Sequence, residues 1–426
     1  MLNAKSEREL AYVVEVDGIE PIVGSDNCEA AVIGGWRVMV KKGEFQPGDL
    51  AIYFEIDSKV DPENPAFEFL AKKHFAVKTQ KYTFGGKGNF ISQGLIMRPA
   101  DLGWTVESAQ FAGGVLYVVD AEGNQHFAED ESRFVTELLK VTYYVAEDNS
   151  RKSNKFDPNA ALNRALARHP KLAKKYGKLI KNNKFARGLF MLLFGKKKVS
   201  DTAFPTIFPY IKKTDQERCE NMPWVLNDKT PFIVTQKCDG SSGTYILART
   251  HKVFGKKYEF YVCSRNVRQL TPDQKSFYED NYYWECAIKY DIEAKLKNYL
   301  EKHPELEYIC WQGEVCAPSI QSNPHGLTET HLFCFHMIDS VKGKYDMREA
   351  IKIWKDYGME TVPIVDENYI LPDNFEDFKA SADGFYDASV CEGKTNQTRE
   401  GFVYYKTTDP SFSFKNVSRS YLLKHQ

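Results

Sequence analysis

The chemistry of this chain is read from a lysine two residues ahead of an Asp-Gly pair. It lies in Thr235-Gln236-Lys237-Cys238-Asp239-Gly240-Ser241-Ser242-Gly243, at the end of the apolar run Phe232-Ile233-Val234. A strand end holds such an amine in a fixed place, and the adjacent carboxylate sets charge beside it. A free lysine amine has a pKa of about 10.4 and is a poor nucleophile at neutral pH. Nearby cations, bound metal included, or desolvation can lower that value, and the expectation is that they do so here. A nucleophilic amine of this kind could attack an electrophilic centre such as a phosphoryl group. Such a displacement needs its charge neutralised by metals or cationic side chains. Alone, Lys-x-Asp-Gly is a weak pattern.

Five more elements follow in order. Ser264-Arg265-Asn266 comes after the strand-like run Tyr258 to Cys263. Trp311-Gln312-Gly313-Glu314-Val315 and His331-Leu332-Phe333-Cys334-Phe335-His336-Met337-Ile338-Asp339 come next. Arg399-Glu400-Gly401-Phe402-Val403-Tyr404-Tyr405 and Ser411-Phe412-Ser413-Phe414-Lys415-Asn416-Val417 close the set. This order resembles motifs I, Ia, III, IIIa, IV and V of the covalent nucleotidyltransferase superfamily. That superfamily contains ATP-dependent DNA and RNA ligases and mRNA capping enzymes.

The resemblance implies a role for each matching residue. Lys237 is the nucleophile that forms lysyl-AMP. Asp239, Glu314 and Glu400 hold Mg²⁺ or Mn²⁺ directly or through waters, since hard oxygen ligands with retained water suit these ions. An isolated glutamate is ordinarily a solvated surface residue; each of these carboxylates instead lies beside glycine in a matching motif. Glu314 could also meet the ribose. Arg265 presents a planar fork to phosphate or ribose oxygens. Lys415 contacts the α-phosphate and helps pyrophosphate leave. Phe333 and Phe335 alternate on a strand and are expected to share one face. Phe335 is the preferred adenine stack, with Phe333 as the other candidate; a packed core face is the competing reading. Gly240, Gln216 and Arg218 complete the nucleotide-binding set. Two departures stand out: His336 follows the aromatic where the family often has Asp, and Ser413 stands where many ligases carry a first lysine.

These residues need elements to position them. Residues 1–145 read as mostly β, with short runs at Leu10 to Val16, Trp36 to Val40 and Leu50 to Glu55 between turn clusters such as Gln46-Pro47-Gly48-Asp49. Gly34-Gly35-Trp36, Tyr53-Phe54-Glu55-Ile56-Asp57-Ser58 and Ser92-Gln93-Gly94-Leu95 resemble the N-terminal OB-type module of one RNA ligase subfamily. Such barrels commonly hold nucleic-acid strands on one face. Trp36 and Tyr53 are nevertheless expected in the core. Residues 146–200 are expected to form a basic helical linker or insertion. Its 151–198 stretch carries fifteen lysines and arginines against the single acid Asp157, a one-signed block that attracts phosphates. Residues 201–426 are expected to form the nucleotidyltransferase (adenylylation) domain. They open with Lys213-Thr214-Asp215-Gln216-Glu217-Arg218, which resembles the opening segment of the same ligases. Strand-like and helix-like pieces alternate irregularly, so the fold class is α+β.

Composition bounds the rest. The 426 residues suffice for two or three domains. A net charge of −1 means that any nucleic-acid contact rests on local charge. Nine cysteines with no Cys-x-x-Cys spacing argue against zinc ribbons and a disulfide framework, so a reducing, cytoplasmic compartment is expected. No signal peptide and no run of about 20 apolar residues is seen, so no membrane association is expected.

The expected function is ATP-dependent RNA ligation, with RNA bearing 5′-phosphate and 3′-hydroxyl ends as the partner and a monomer as the form. The module in front, with no OB domain after the last motif, favours an RNA ligase over a DNA ligase or a capping-type guanylyltransferase. A non-catalytic RNA-binding protein on a ligase fold is the alternative from another class.

Overall fold

Antiparallel sheets dominate this computed structural model, and their alternating burial follows from the sequence. The structure describes residues 1–144 and 202–425, apart from 5–6, 85–87, most of 103–132, 252–255, 275–277, 279 and 393–395. The basic stretch 151–198 lies outside the described residues. Met1–Val145 and Phe204–Gln426 pack as one unit.

In the N-terminal part, Ala11–Glu15, Leu50–Phe54 and Leu95–Met97 form one three-stranded sheet, and Gly18–Pro21, Cys28–Ile33 and Trp36–Lys41 form another. Both sheets contribute to one core, with Tyr12, Val14, Ala31, Ile33, Trp36 and Tyr53 among its members. Trp36 and Tyr53 are buried there, with ring centroids 5.5 Å apart.

The rest of the unit is built on two larger sheets. The six-stranded sheet runs Arg268–Gln269, Lys256–Ser264, Ser241–His251, Tyr308–Cys316, His331–Asp339, Gly343–Lys344. Successive side chains point to opposite faces. Tyr245, Leu247, Ile309 and Trp311 therefore join the main core, while Ile246, Ala248, Tyr308 and Cys310 pack under Phe204, Phe208 and Ile211. Helices cover the main-core face. Ile292–Lys302 buries Ile292, Leu296, Tyr299 and Leu300, and Met347–Asp356 buries Met347, Ala350, Ile351 and Trp354. Both sets follow helical spacing, and Asp346 caps the second helix by accepting the Arg348 N–H.

The five-stranded sheet runs Glu217–Arg218, Ser413–Val417, Gly401–Lys406, Phe232–Gln236, Ile364–Tyr369. Its first pair is parallel and the others are antiparallel. The register places Val403 opposite Lys415 and Gln236 opposite Phe402. Lys237 therefore leaves its strand next to Gly401, whose carbonyl accepts the Lys237 N–H at 3.0 Å. Gly401 is obligatory here: its φ is +138° and an added Cβ would lie 2.1 Å from the Asn416 carbonyl oxygen.

The architecture is α+β, with small antiparallel sheets in front and two larger, mainly antiparallel sheets behind. All nine cysteines are free. Among the described residues, no helix is long and apolar enough to cross a membrane.

One fully buried ion pair locks the strand that carries Lys415. Lys379 Nζ lies 2.8 Å from Glu220 and also donates to Asn416 Oδ1 and the Val417 carbonyl, at 2.8 and 2.9 Å. Removing one partner strands the other charge. Lys379→Met is expected to lower unfolding free energy by about 3–5 kcal/mol in urea denaturation. Lys379→Met combined with Glu220→Leu is expected to recover most of that loss.

Candidate active site

Residues from both parts of the unit line a cavity of about 470 Å³. Lys237, Asp239, Gly240, Arg265, Glu314, Phe335, Glu400, Lys415, Gln216 and Arg218 all border it. The sequence-selected set thus comes together, with one exception. Phe333 lies in the main core, its ring parallel to that of His331 at 5.8 Å. Phe335 is partly buried against the same core and also borders the cavity. Glu314 pairs with Phe333 and Gly313 with Cys334, but Gln312 pairs with His336, so a bulge leaves Phe335 unpaired and breaks the alternation.

Each carboxylate reaches the lysine from a different element. Glu400 precedes Gly401 and accepts the Lys237 ammonium at 2.9 Å. Glu314 sits opposite Ser242 on the neighbouring strand and accepts the Gly240 N–H at 3.2 Å. A Cβ on Gly240 would meet the Val315 carbonyl oxygen at 2.4 Å, so this close approach needs glycine. Asp239 accepts from the Tyr421 hydroxyl, and its backbone N–H donates to His325 Nε2 at 3.1 Å. Burial pulls the His325 ring down to about 4, so it is neutral and offers that nitrogen as an acceptor.

The charge balance corrects one expectation. Burial pulls the Lys237 amine down, but Glu400, Glu314 and Asp239 outweigh it and hold the amine above its ordinary value. Without a bound cation, Lys237 is an ammonium and not a nucleophile. Burial, with repulsion from Glu400, pushes Asp239 up to about 7. Burial also pushes Glu314 up to about 8; Lys237 opposes this, while Glu400 and Asp239 add to it.

The cations form a second group. Asp215 accepts from Lys415 at 2.7 Å and from Arg265 at 2.8 Å. Burial disfavours the Asp215 charge, but Lys415 and Arg265 more than offset this and keep it a carboxylate. Burial draws Lys415 below its ordinary value. Arg218 pairs with Asp57 at 3.1 Å, and Arg8 pairs with Glu55 at 2.6 Å. Arg8 Nη2 and Arg218 Nε and Nη1 are buried with no hydrogen-bond partner.

Sequence reasoning missed Arg8, Asp57, Tyr143, Tyr421 and His425, all of which border the cavity. It also gave no role to Asp215, although it quoted the segment that holds it. His336, the departure from the family pattern, is buried and bonds Gln312 Oε1 at 3.1 Å.

Three carboxylates around one ammonium suit a divalent cation by charge. No three His, Cys, Asp or Glu side chains among the described residues form a ready-made cage. The hard oxygen atoms of the three carboxylates are of the type that Mg²⁺ and Mn²⁺ take, ions that keep much of their water.

The cavity is centred on a lysine with carboxylates beside it, in the part of the unit that follows the N-terminal sheets. Residues 230–420 match the family model described as RNA ligase, and residues 10–98 match one described as an OB-fold domain. Residues 230–420 thus resemble an RNA ligase domain, and the segment before them resembles an OB-fold domain. Among solved structures, Naegleria gruberi RNA ligase with PPi is 24% identical, covers 98% of this chain and 99% of that chain, and gives a TM-score of 0.66. Two mutants of that ligase, one with ATP and Mn and one with AMP and Mn, are each 25% identical, with coverage of 98% and 99% and TM-scores of 0.65. No curated protein matches the chain.

Folded Glu314 and Asp239 hold protons up to about 8 and 7, whereas their ordinary values are 4.5 and 3.8. The folded state binds more protons across that window, so these groups lower its stability as pH rises through it. Without metal, Glu314→Gln is expected to raise Tm by about 2–4 °C near pH 8. The same substitution is expected to leave Tm almost unchanged at about pH 5, where Glu314 is already protonated in the fold. Thermal melts at the two pH values check this.

Proposed function

We propose that the protein is an ATP-dependent RNA ligase that joins a 5′-phosphate end to a 3′-hydroxyl end through lysyl-AMP on Lys237. The observation that carries this reading is the gathering of Lys237, three carboxylates and the cations Lys415, Arg265 and Arg218 on the lining of one cavity, in a chain whose residues 230–420 match an RNA ligase family model. The Naegleria ligase structures with ATP, AMP, PPi and Mn support the same choice of nucleotide and ion.

The residues divide the work by charge. Asp239, Glu314 and Glu400 would hold Mg²⁺ or Mn²⁺ through waters, and the ion offsets the negative charge that keeps Lys237 protonated. Glu400, at 2.9 Å, is the nearest acceptor for the proton that leaves the amine. Phe335, at the cavity wall, stacks on the adenine. Lys415 and Arg265 meet the phosphates, exchanging the Asp215 carboxylate for phosphate oxygens. The unpartnered guanidinium nitrogens of Arg8 and Arg218 give the leaving pyrophosphate a place to bond.

In the first step the Lys237 nitrogen bonds to the α-phosphorus of ATP, and the bond to pyrophosphate breaks. AMP then passes to an RNA 5′-phosphate, releasing the amine. A 3′-hydroxyl attacks the activated end, and AMP leaves. Each step is a displacement at phosphorus beside the same adenosine, so one cavity serves all three. RNA repair is the cellular role such an activity fits.

Sealing of a nicked RNA duplex with a labelled 5′-phosphate strand tests the reading. Wild type is expected to seal with ATP, and Lys237→Ala to give no product. Lys415→Ala is expected to cut the rate by about 10²–10³-fold, as when a group stabilising developing charge is removed. Wild type that binds RNA and ATP but seals nothing would favour a non-catalytic RNA-binding role.

A further inference from the structure

We propose that Tyr421 is a positioning residue for Asp239. Its hydroxyl holds one carboxylate oxygen and leaves the other for the cavity, making the C-terminal helix part of the adenylylation site. This rests on the ligase reading above.

The helix Arg419–His425 follows the Lys415 strand and is tied to the site at its first turn. The Ser418 N–H donates to the Glu400 carbonyl at 2.9 Å, and Ser418 Oγ donates to Asp383 at 2.6 Å. Arg419 makes a two-pronged pair with Glu376, at 2.6 and 3.0 Å. Leu422 is buried with Trp36 and Tyr53 in the core of the N-terminal part, and Tyr421 packs against the same cluster. The Tyr421 ring stacks on His425 at 4.4 Å. Its hydroxyl is therefore delivered to a fixed point, the Asp239 Oδ2 atom.

Asp239 needs that contact. Its backbone is held by His325 and by the Cys316 thiol, which reaches its carbonyl at 3.8 Å. Neither bond fixes rotation of the side chain. Among the described residues, Tyr421 provides the hydrogen bond that does. A carboxylate that turned freely beside Lys237 would swing toward the ammonium. Burial and the nearby Glu400 and Asp239 keep the phenol protonated, so it remains a donor.

Tyr421→Phe removes the oxygen and keeps the ring, its stack and the packing of the helix. Its melting temperature is expected to match wild type. Mn²⁺ affinity, read by electron paramagnetic resonance without nucleotide, is expected to fall by about tenfold, the usual loss when a group orienting a metal ligand is removed. Lysyl-AMP formation is expected to fall by a similar factor at low Mn²⁺ and to recover at high Mn²⁺. In an Asp239→Asn background, Tyr421→Phe is expected to add no further loss. Unchanged Mn²⁺ affinity in Tyr421→Phe, a loss that persists in Asp239→Asn, or a wild type that binds no Mn²⁺ would overturn the proposal. Absence of lysyl-AMP in a wild type that binds Mn²⁺ would instead defeat the ligase reading, because the titration reads the Tyr421 contact by itself.

Discussion

One partly buried ammonium facing three carboxylates is the constraint on which the rest of the site depends. Lys237 has a bonded partner in Glu400 and feels Glu314 and Asp239 as well. The surplus negative charge has two consequences. It keeps the amine protonated, and it adds to the burial that pushes protons onto Asp239 and Glu314. On the proposed reading, a resting protein of this kind holds its amine inert until positive charge arrives with the nucleotide. The cost of assembling like charges is met by the fold around them, as expected where a site is organised for chemistry and not for its own stability.

The fold meets that cost through rigid β pairing. Glu400 and Lys415 belong to one antiparallel hairpin, and Lys237 extends the strand beside it. Glu314 arrives on the other sheet, opposite Ser242. Gly240 and Gly401 permit backbone approaches that a side chain would block. Behind the hairpin, the buried Lys379–Glu220 pair ties the helix Phe375–Ser381 to the segment that leads from Arg218. Asp215 gathers Lys415 and Arg265 into a second charged group on the same cavity lining.

The legible parts of the site were those with local signatures. Lys237, Asp239 and Gly240 share one stretch, and Glu314, Glu400 and Lys415 each sit in a motif with recognisable neighbours. The α+β class and the burial of Trp36 and Tyr53 also followed from residue patterns. What escaped is long-range. Arg8 and Tyr421 lie near opposite ends of the chain and reach the cavity by packing, which no spacing announces. The bulge at Phe335 depends on register between two strands, which alternation in the sequence does not reveal. The direction of the Lys237 shift was missed for a similar reason. Burial is visible in an apolar run, but the sum of three carboxylates appears only when their positions are known.

The most direct test of the account is to incubate the protein with ATP labelled at the α-phosphate and Mn²⁺, then digest it and locate the label by mass spectrometry. One AMP on Lys237, acid-labile, absent without divalent metal and absent with GTP labelled at the same position, is the predicted result. No adduct on folded protein that is not already adenylylated, or an adduct on another residue, would contradict it.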